Sequence, residues 1–214
     1  MPGVFSSKRN FLFDLDGTLI DSVPAHAQAY VDALMPNHPD LAKSFNYTPF
    51  AGRPTREIFL ALGLREEPEV SDLTLRKQVL YREALERGDV KTFPGALPLL
   101  ERLQKKGARL FLVTGGNRIS VERVVDLTGL RPFFEALVTA DDVPHGKPAP
   151  DCYLQTMAQH GLAKPDCIVI EDGQNGVIAA QRAGIDAVLV HTDLQIPGII
   201  NAHDYAVLAE LLFP

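Results

Sequence analysis

The feature that most constrains the fold is a regular alternation of short apolar runs with segments of helical spacing. The apolar runs lie at residues 11–13, 109–113, 136–139, 167–170 and 187–190. Runs this short and this apolar read as buried strands. Between them, residues 97–106, 119–128, 150–160 and 174–183 carry helical spacing; in the first of these, Leu99, Leu100 and Leu103 share one face. Each helical segment stops at a glycine, Gly107, Gly129, Gly161 or Gly184, the residue that ends helices in the left-handed conformation. Strand and helix in regular alternation require parallel pairing with helical crossovers. The second half of the chain is thus expected to be a doubly wound α/β domain.

Residues 22–90 read differently. Segments 23–34, 54–62 and 72–86 have helical spacing, and Pro36, Pro39, Pro49 and Pro54 break the stretches between them. No convincing strand lies there. An all-helical piece is therefore expected as an insertion after the first strand, with residues 1–20 and 92–214 forming the α/β core and 21–91 the insertion.

At 214 residues, the chain suffices for one core domain plus a small second one. A net charge of −6 argues against sequence-independent nucleic-acid binding, which relies on Lys and Arg meeting phosphates. It leaves room for a small anionic substrate in a locally positive pocket. Cys152 and Cys167 lack metal-ligand spacing and read as buried thiols. The first residues hold no apolar run of signal-peptide type. No stretch approaches the ~20 apolar residues of a membrane span. The expectation is a cytoplasmic protein that meets neither membrane nor nucleic acid. With no heptad or apolar stripe in view, a monomer is expected.

The chemistry concentrates at the ends of the strands. Phe11-Leu12-Phe13 runs into Asp14-Leu15-Asp16-Gly17-Thr18. Alternate residues of an extended chain point the same way, so Asp14 and Asp16 can face one site at the strand's carboxyl end. Two carboxylates so close repel unless a cation or a proton intervenes. A hard cation such as Mg²⁺ takes oxygen ligands and leaves room for a phosphate oxygen. One Asp can then act as nucleophile while the other handles the proton. In isolation, Asp-x-Asp-Gly is as well read as a polar turn. Thr114-Gly115-Gly116 follows the second strand, where a hydroxyl and backbone N–H groups can cradle a phosphoryl group. Lys147 sits in Gly146-Lys147-Pro148, a single cation on a stiffened backbone. Glu171 and Asp172 stand at a strand end, placed to complete a metal site.

This ordered set resembles the haloacid dehalogenase superfamily, on Asp14-Leu15-Asp16-Gly17-Thr18-Leu19, Thr114, Gly146-Lys147-Pro148 and Glu171-Asp172. The resemblance implies a Rossmann-like parallel core with an inserted helical cap. It implies Asp14 as nucleophile and Asp16 as the residue that protonates the leaving oxygen and later activates water. Thr114 and Lys147 would bind the transferred group, with Gly115 and Gly116 beside it. Mg²⁺ would be held by Asp14, the Asp16 carbonyl and Asp172, with Glu171 direct or through water. Two positions depart from the usual pattern: Gly173 stands where many relatives carry Ser or Thr, and Gly115-Gly116 where small polar residues are more usual.

Within the superfamily the chain resembles phosphoglycolate phosphatases, other sugar-phosphate phosphatases and β-phosphoglucomutases. Asp16 disfavours dehalogenase and phosphonate-cleaving chemistry. His26 follows the first motif at the spacing of that group, and Gly52-Arg53-Pro54-Thr55-Arg56-Glu57 looks like its cap specificity loop. Lys77 matches a cap lysine that mutases use on substrate, although read from its helix alone it is a solvated charge. Arg53 and Arg56 read as surface residues or as a grip on a second anionic group. The expected activity is hydrolysis of a small phosphomonoester, with a sugar phosphomutase as the alternative. A non-catalytic binding protein would lack one of these residues, and a receiver domain would lack the helical insertion.

Overall fold

Six short strands lie side by side in one parallel sheet. The computed structural model describes residues 3–65 and 67–213. The strands in chain order are β1 (Asn10–Phe13), β2 (Ile20–Asp21), β3 (Lys91–Thr92), β4 (Arg109–Val113), β5 (Ala136–Val138), β6 (Cys167–Glu171), β7 (Asp186–Leu189) and β8 (Ile200–Asn201). The large sheet has the order β5-β4-β1-β6-β7-β8, with every neighbouring pair parallel. Numbered by appearance within the sheet, that is the order 3-2-1-4-5-6 of a doubly wound fold. The chain leaves β1 in one direction and returns to its other side at β6, so the crevice lies at the carboxyl ends of those two strands.

The helices are α1 (Val23–Leu34), α2 (Pro39–Ser44), α3 (Thr55–Ala61), α4 (Glu69–Glu86), α5 (Ala96–Lys105), α6 (Arg118–Leu127), α7 (Asp151–His160), α8 (Gln174–Ala183) and α9 (Tyr205–Leu212). The chain divides into two units, Met1–Ile20 with Thr92–Pro214, and Asp21–Lys91. In the first unit, Leu12 pairs in register with Phe111 and Val169. All three are fully buried and pack with Cys152, Tyr153 and Met157 of α7 and Ala179, Ala180 and Ala183 of α8. Small residues on α8 let the helix lie close to the sheet. Each large apolar side chain buried this way contributes about 1.5–3 kcal/mol before entropy is counted. Both cysteines are free and buried, in line with their reading as buried thiols.

The second unit is helical. Tyr30 and Leu34 of α1, Ile58 and Phe59 of α3, and Val70 and Leu73 of α4 form its core. Helix α2 does not show in the sequence pattern, where Pro39 reads as a break. Proline at the first helical position is tolerated, since that N–H would lack an intrahelical partner anyway. The pattern also starts α4 three residues late and does not reveal β2, β3 and β8, two-residue strands too short to show a period. Among the described residues no helix is long and apolar enough to cross a membrane.

Leu12 is fully buried at the centre of the sheet. Leu12→Ala is expected to lower the unfolding free energy by about 2–5 kcal/mol, read as a shifted urea midpoint with an unchanged slope.

Candidate active site

Strand β1 ends where its chemistry begins. The Asp14 N–H continues the parallel ladder by donating to the Ile170 carbonyl at 3.0 Å. This fixes the Asp14 side chain, nearly buried, beside the end of β6. The chain then turns at Gly17, whose φ of +80° few other residues adopt. A Cβ at Gly17 would fall 2.3 Å from Asp172 Oδ2, so the turn closes over Asp172 only without a side chain. The Thr18 hydroxyl donates to Asp172 Oδ1 at 3.2 Å.

Lys147 reaches in from the loop before α7. Its ammonium donates to Asp14 Oδ1 at 2.7 Å, Glu171 Oε1 at 2.6 Å and the Val113 carbonyl at 2.8 Å. All three of its protons are thereby used, at a side-chain exposure of 10%. Glu171 is held in turn by the Tyr153 hydroxyl and by the Gly173 N–H, both donating at 3.2 Å. Its carboxylate lies against the first turn of α8, where a Cβ at Gly176 would come within 1.7 Å of Oε1. A helix N-terminus is a favourable place for negative charge.

Burial raises the Asp14 carboxyl well above the usual carboxylate range. Lys147 opposes that rise, while Glu171 and Asp172 add to it. Burial pushes Asp172 up to about 7, with Glu171 adding to the rise. Burial disfavours charge on Lys147, but Asp14 and Glu171 outweigh it and hold the ammonium well above its ordinary range. Oxygens of Asp14, Glu171 and Asp172 all lie within 4.8 Å of one another. Three clustered carboxylates facing one ammonium fit a hard divalent cation, which prefers oxygen ligands.

Of the residues expected to act, Asp14, Lys147, Glu171 and Asp172 come together directly. Thr114 is buried at the end of β4, and its hydroxyl accepts from the Gly116 N–H at 3.2 Å. A Cβ at Gly116 would lie 3.6 Å from Thr114 Oγ1 and 4.0 Å from Asp16 Oδ2. The Asp16 carboxylate is thus on the Thr114–Gly116 side, and the three-carboxylate cluster does not include it. Gly115 has open space where a side chain would stand.

The helical unit corrects one reading. Lys77 is 4% exposed, not a solvated helix charge. Its ammonium stands 2.7 Å from His26 Nδ1 and lies over the rings of Tyr30 and Tyr81, 4.7 and 5.0 Å from their centroids. The His26 ring stacks on Tyr81 at 3.9 Å. The reason is sequence-distant: α1 and α4 pack together and bring Tyr30 and Tyr81 to the lysine ammonium. Arg53 and Arg56 lie at the surface with Glu57 and Glu67 as partners. Sequence reasoning also missed Tyr153 and Gly176. Nothing in their neighbourhood marks them, because their partner Glu171 belongs to another element.

Two outcomes follow from this electrostatics and packing. Asp172 and Asp14 bind a proton more tightly folded than unfolded. The contribution of Asp172 to stability is therefore full below about pH 4 and is lost as pH rises through about 7, and that of Asp14 is likewise lost as pH rises. In chelator, the thermal midpoint should fall between about pH 5 and about pH 8, and a divalent cation should abolish that fall; a flat profile in chelator would contradict it. Gly176→Ala should displace Glu171, lowering both the thermal midpoint and turnover, as read by calorimetry and a phosphate-release assay.

Known proteins resemble this chain over most of its length. A family model described as haloacid dehalogenase-like hydrolase matches residues 8–184. Hexitol phosphatase A of Escherichia coli (strain K12) is 34% identical over 191 residues, covering 88% of this chain and 86% of that protein. A fructose-1-phosphate phosphatase of the same organism is 34% identical over 182 residues, covering 83% of this chain and 93% of that protein. Among solved structures, a HAD hydrolase (family IA, variant 3) of Entamoeba histolytica superposes with a TM-score of 0.79 at 25% identity, covering 95% of this chain and 99% of the other. The sheet order, the acidic strand ends and these likenesses agree, and the chain belongs to the haloacid dehalogenase-like hydrolases.

Proposed function

We propose that the protein is a Mg²⁺-dependent phosphatase that hydrolyses a small sugar- or polyol-phosphate monoester through a phosphorylated Asp14. The observation that carries this reading is the Lys147 ammonium bound at once to Asp14 and Glu171, beside Asp172, at the carboxyl ends of β1 and β6. Phosphoryl transfer asks little covalent chemistry of a protein beyond positioning and charge neutralisation, and this cluster supplies both.

In this reading an Asp14 oxygen attacks phosphorus and the ester oxygen departs with a proton from Asp16. Asp16 then takes a proton from the water that cleaves the acyl phosphate. The Thr114 hydroxyl, which accepts from the Gly116 N–H and keeps its own proton to donate, and the Gly115 N–H hold the phosphoryl oxygens, and Lys147 offsets their charge. Mg²⁺, held by Asp14, Asp172 and the Asp16 carbonyl, would keep Asp14 ionised and neutralise the phosphoryl group. Glu171, engaged by Lys147, Tyr153 and Gly173, is better suited to orienting the lysine than to binding the ion directly.

The relatives named as acting on hexitol phosphate and fructose 1-phosphate support a sugar or sugar-alcohol ester. In the helical unit, His26 and Lys77 are the groups suited to a substrate's hydroxyl or anionic oxygens, with Arg53 a further candidate. A second reading, a sugar phosphomutase, is favoured by one observation, the buried Lys77 against His26.

The test is phosphate release from fructose 1-phosphate, hexitol phosphates, hexose 1- and 6-phosphates and phosphoglycolate, with Mg²⁺ and with chelator. Metal-dependent release from a sugar or polyol ester is expected. Interconversion of hexose phosphates without release, given a bisphosphate, would favour the mutase. Asp14→Asn should abolish turnover; wild-type activity in that variant would sink the covalent mechanism. Asp16→Asn should slow turnover about 10²–10⁴-fold, and Asp172→Asn should raise the Mg²⁺ concentration needed for half activity.

A further inference from the structure

Helix α9 reaches the loop that carries Asp14 and Asp16 from far along the chain. Tyr205, its first residue, is 2% exposed. Its hydroxyl donates to the Thr18 carbonyl at 2.6 Å, across 187 positions of sequence. Thr18 is wholly buried. Its N–H turns back to the Leu15 carbonyl at 3.3 Å, and its hydroxyl donates to Asp172 Oδ1. The tyrosine ring is held in place: His191 packs edge-on at 4.9 Å, and the Asp204 carboxylate caps α9 by accepting from the Val207 N–H. A buried carbonyl needs a donor, and withdrawing it costs more than one ordinary hydrogen bond contributes.

We propose that Tyr205 is a positioning residue for the acidic site. By fixing the Thr18 peptide it aims the Thr18 hydroxyl at Asp172. That contact holds the Asp172 carboxylate under the Gly17 turn, oriented to share a cation with Asp14. Tyr205 touches no reacting atom and belongs to none of the four motifs. The inference rests on the metal-site reading above and goes beyond it.

Direct Mn²⁺ binding without substrate tests it, read by electron paramagnetic resonance or calorimetry. Tyr205→Phe keeps the ring and removes only the donor. It should weaken Mn²⁺ binding about threefold to tenfold, the scale of one lost hydrogen bond, with kcat recovering at saturating metal. Thr18→Val should lose a similar factor, and Thr18→Ser, which keeps the hydroxyl, should bind like wild type. The double variant should bind no more weakly than Thr18→Val alone, since Tyr205 acts through that hydroxyl. A lower thermal midpoint with unchanged Mn²⁺ affinity, or losses that simply multiply, would overturn the proposal. A wild-type protein that binds no Mn²⁺ would overturn the metal reading and this inference together.

Discussion

Three carboxylates and one ammonium, all but the half-buried Asp172 with little or no access to water, meet at the carboxyl ends of β1 and β6. Taking such charges out of water costs several kcal/mol per ion unless each finds partners. The neighbourhood is organised around that requirement. Lys147 spends every proton on an acceptor, and both Glu171 oxygens are engaged. Gly17 and Gly176 are places where a side chain would collide with a carboxylate. The excess of carboxylates over the one ammonium fits a divalent cation.

The sheet creates the place where this is achieved. In the order 3-2-1-4-5-6 the connections from β1 and from β6 leave in opposite directions, which opens a crevice between the two strand ends. The register carries Asp14 onward from Phe13, opposite Ile170, and so sets it next to Glu171. A slip of one residue would turn Asp14 toward the other face. The apolar centre around Leu12, Phe111 and Val169 therefore fixes the geometry of the charged end.

The helical unit uses different physics. Lys77 is buried with its ammonium over two aromatic rings and against a histidine nitrogen. Such a group is held in one orientation. Arg53 and Arg56 lie at the surface with acidic partners, where water screens their charges.

Much was legible in the sequence because its signals are local. The apolar runs that became β1, β4, β5, β6 and β7 and the glycine-ended helices between them follow from side-chain period and backbone freedom within a few residues. The motif carboxylates and Lys147 could be read as a set because each stands at a strand end or in a stiff turn. Elements of two residues, and a helix begun by a proline, left no such mark. What only the tertiary structure decided is which distant residues meet. Lys77 is buried because α1 and α4 pack together. Tyr153 and Gly176 matter because Glu171 lies against both. Tyr205 is tied to Thr18 across almost the whole chain. Local sequence sets the conformation of a segment, but the partner of a buried polar group depends on how segments pack, and that is settled only when the whole core closes.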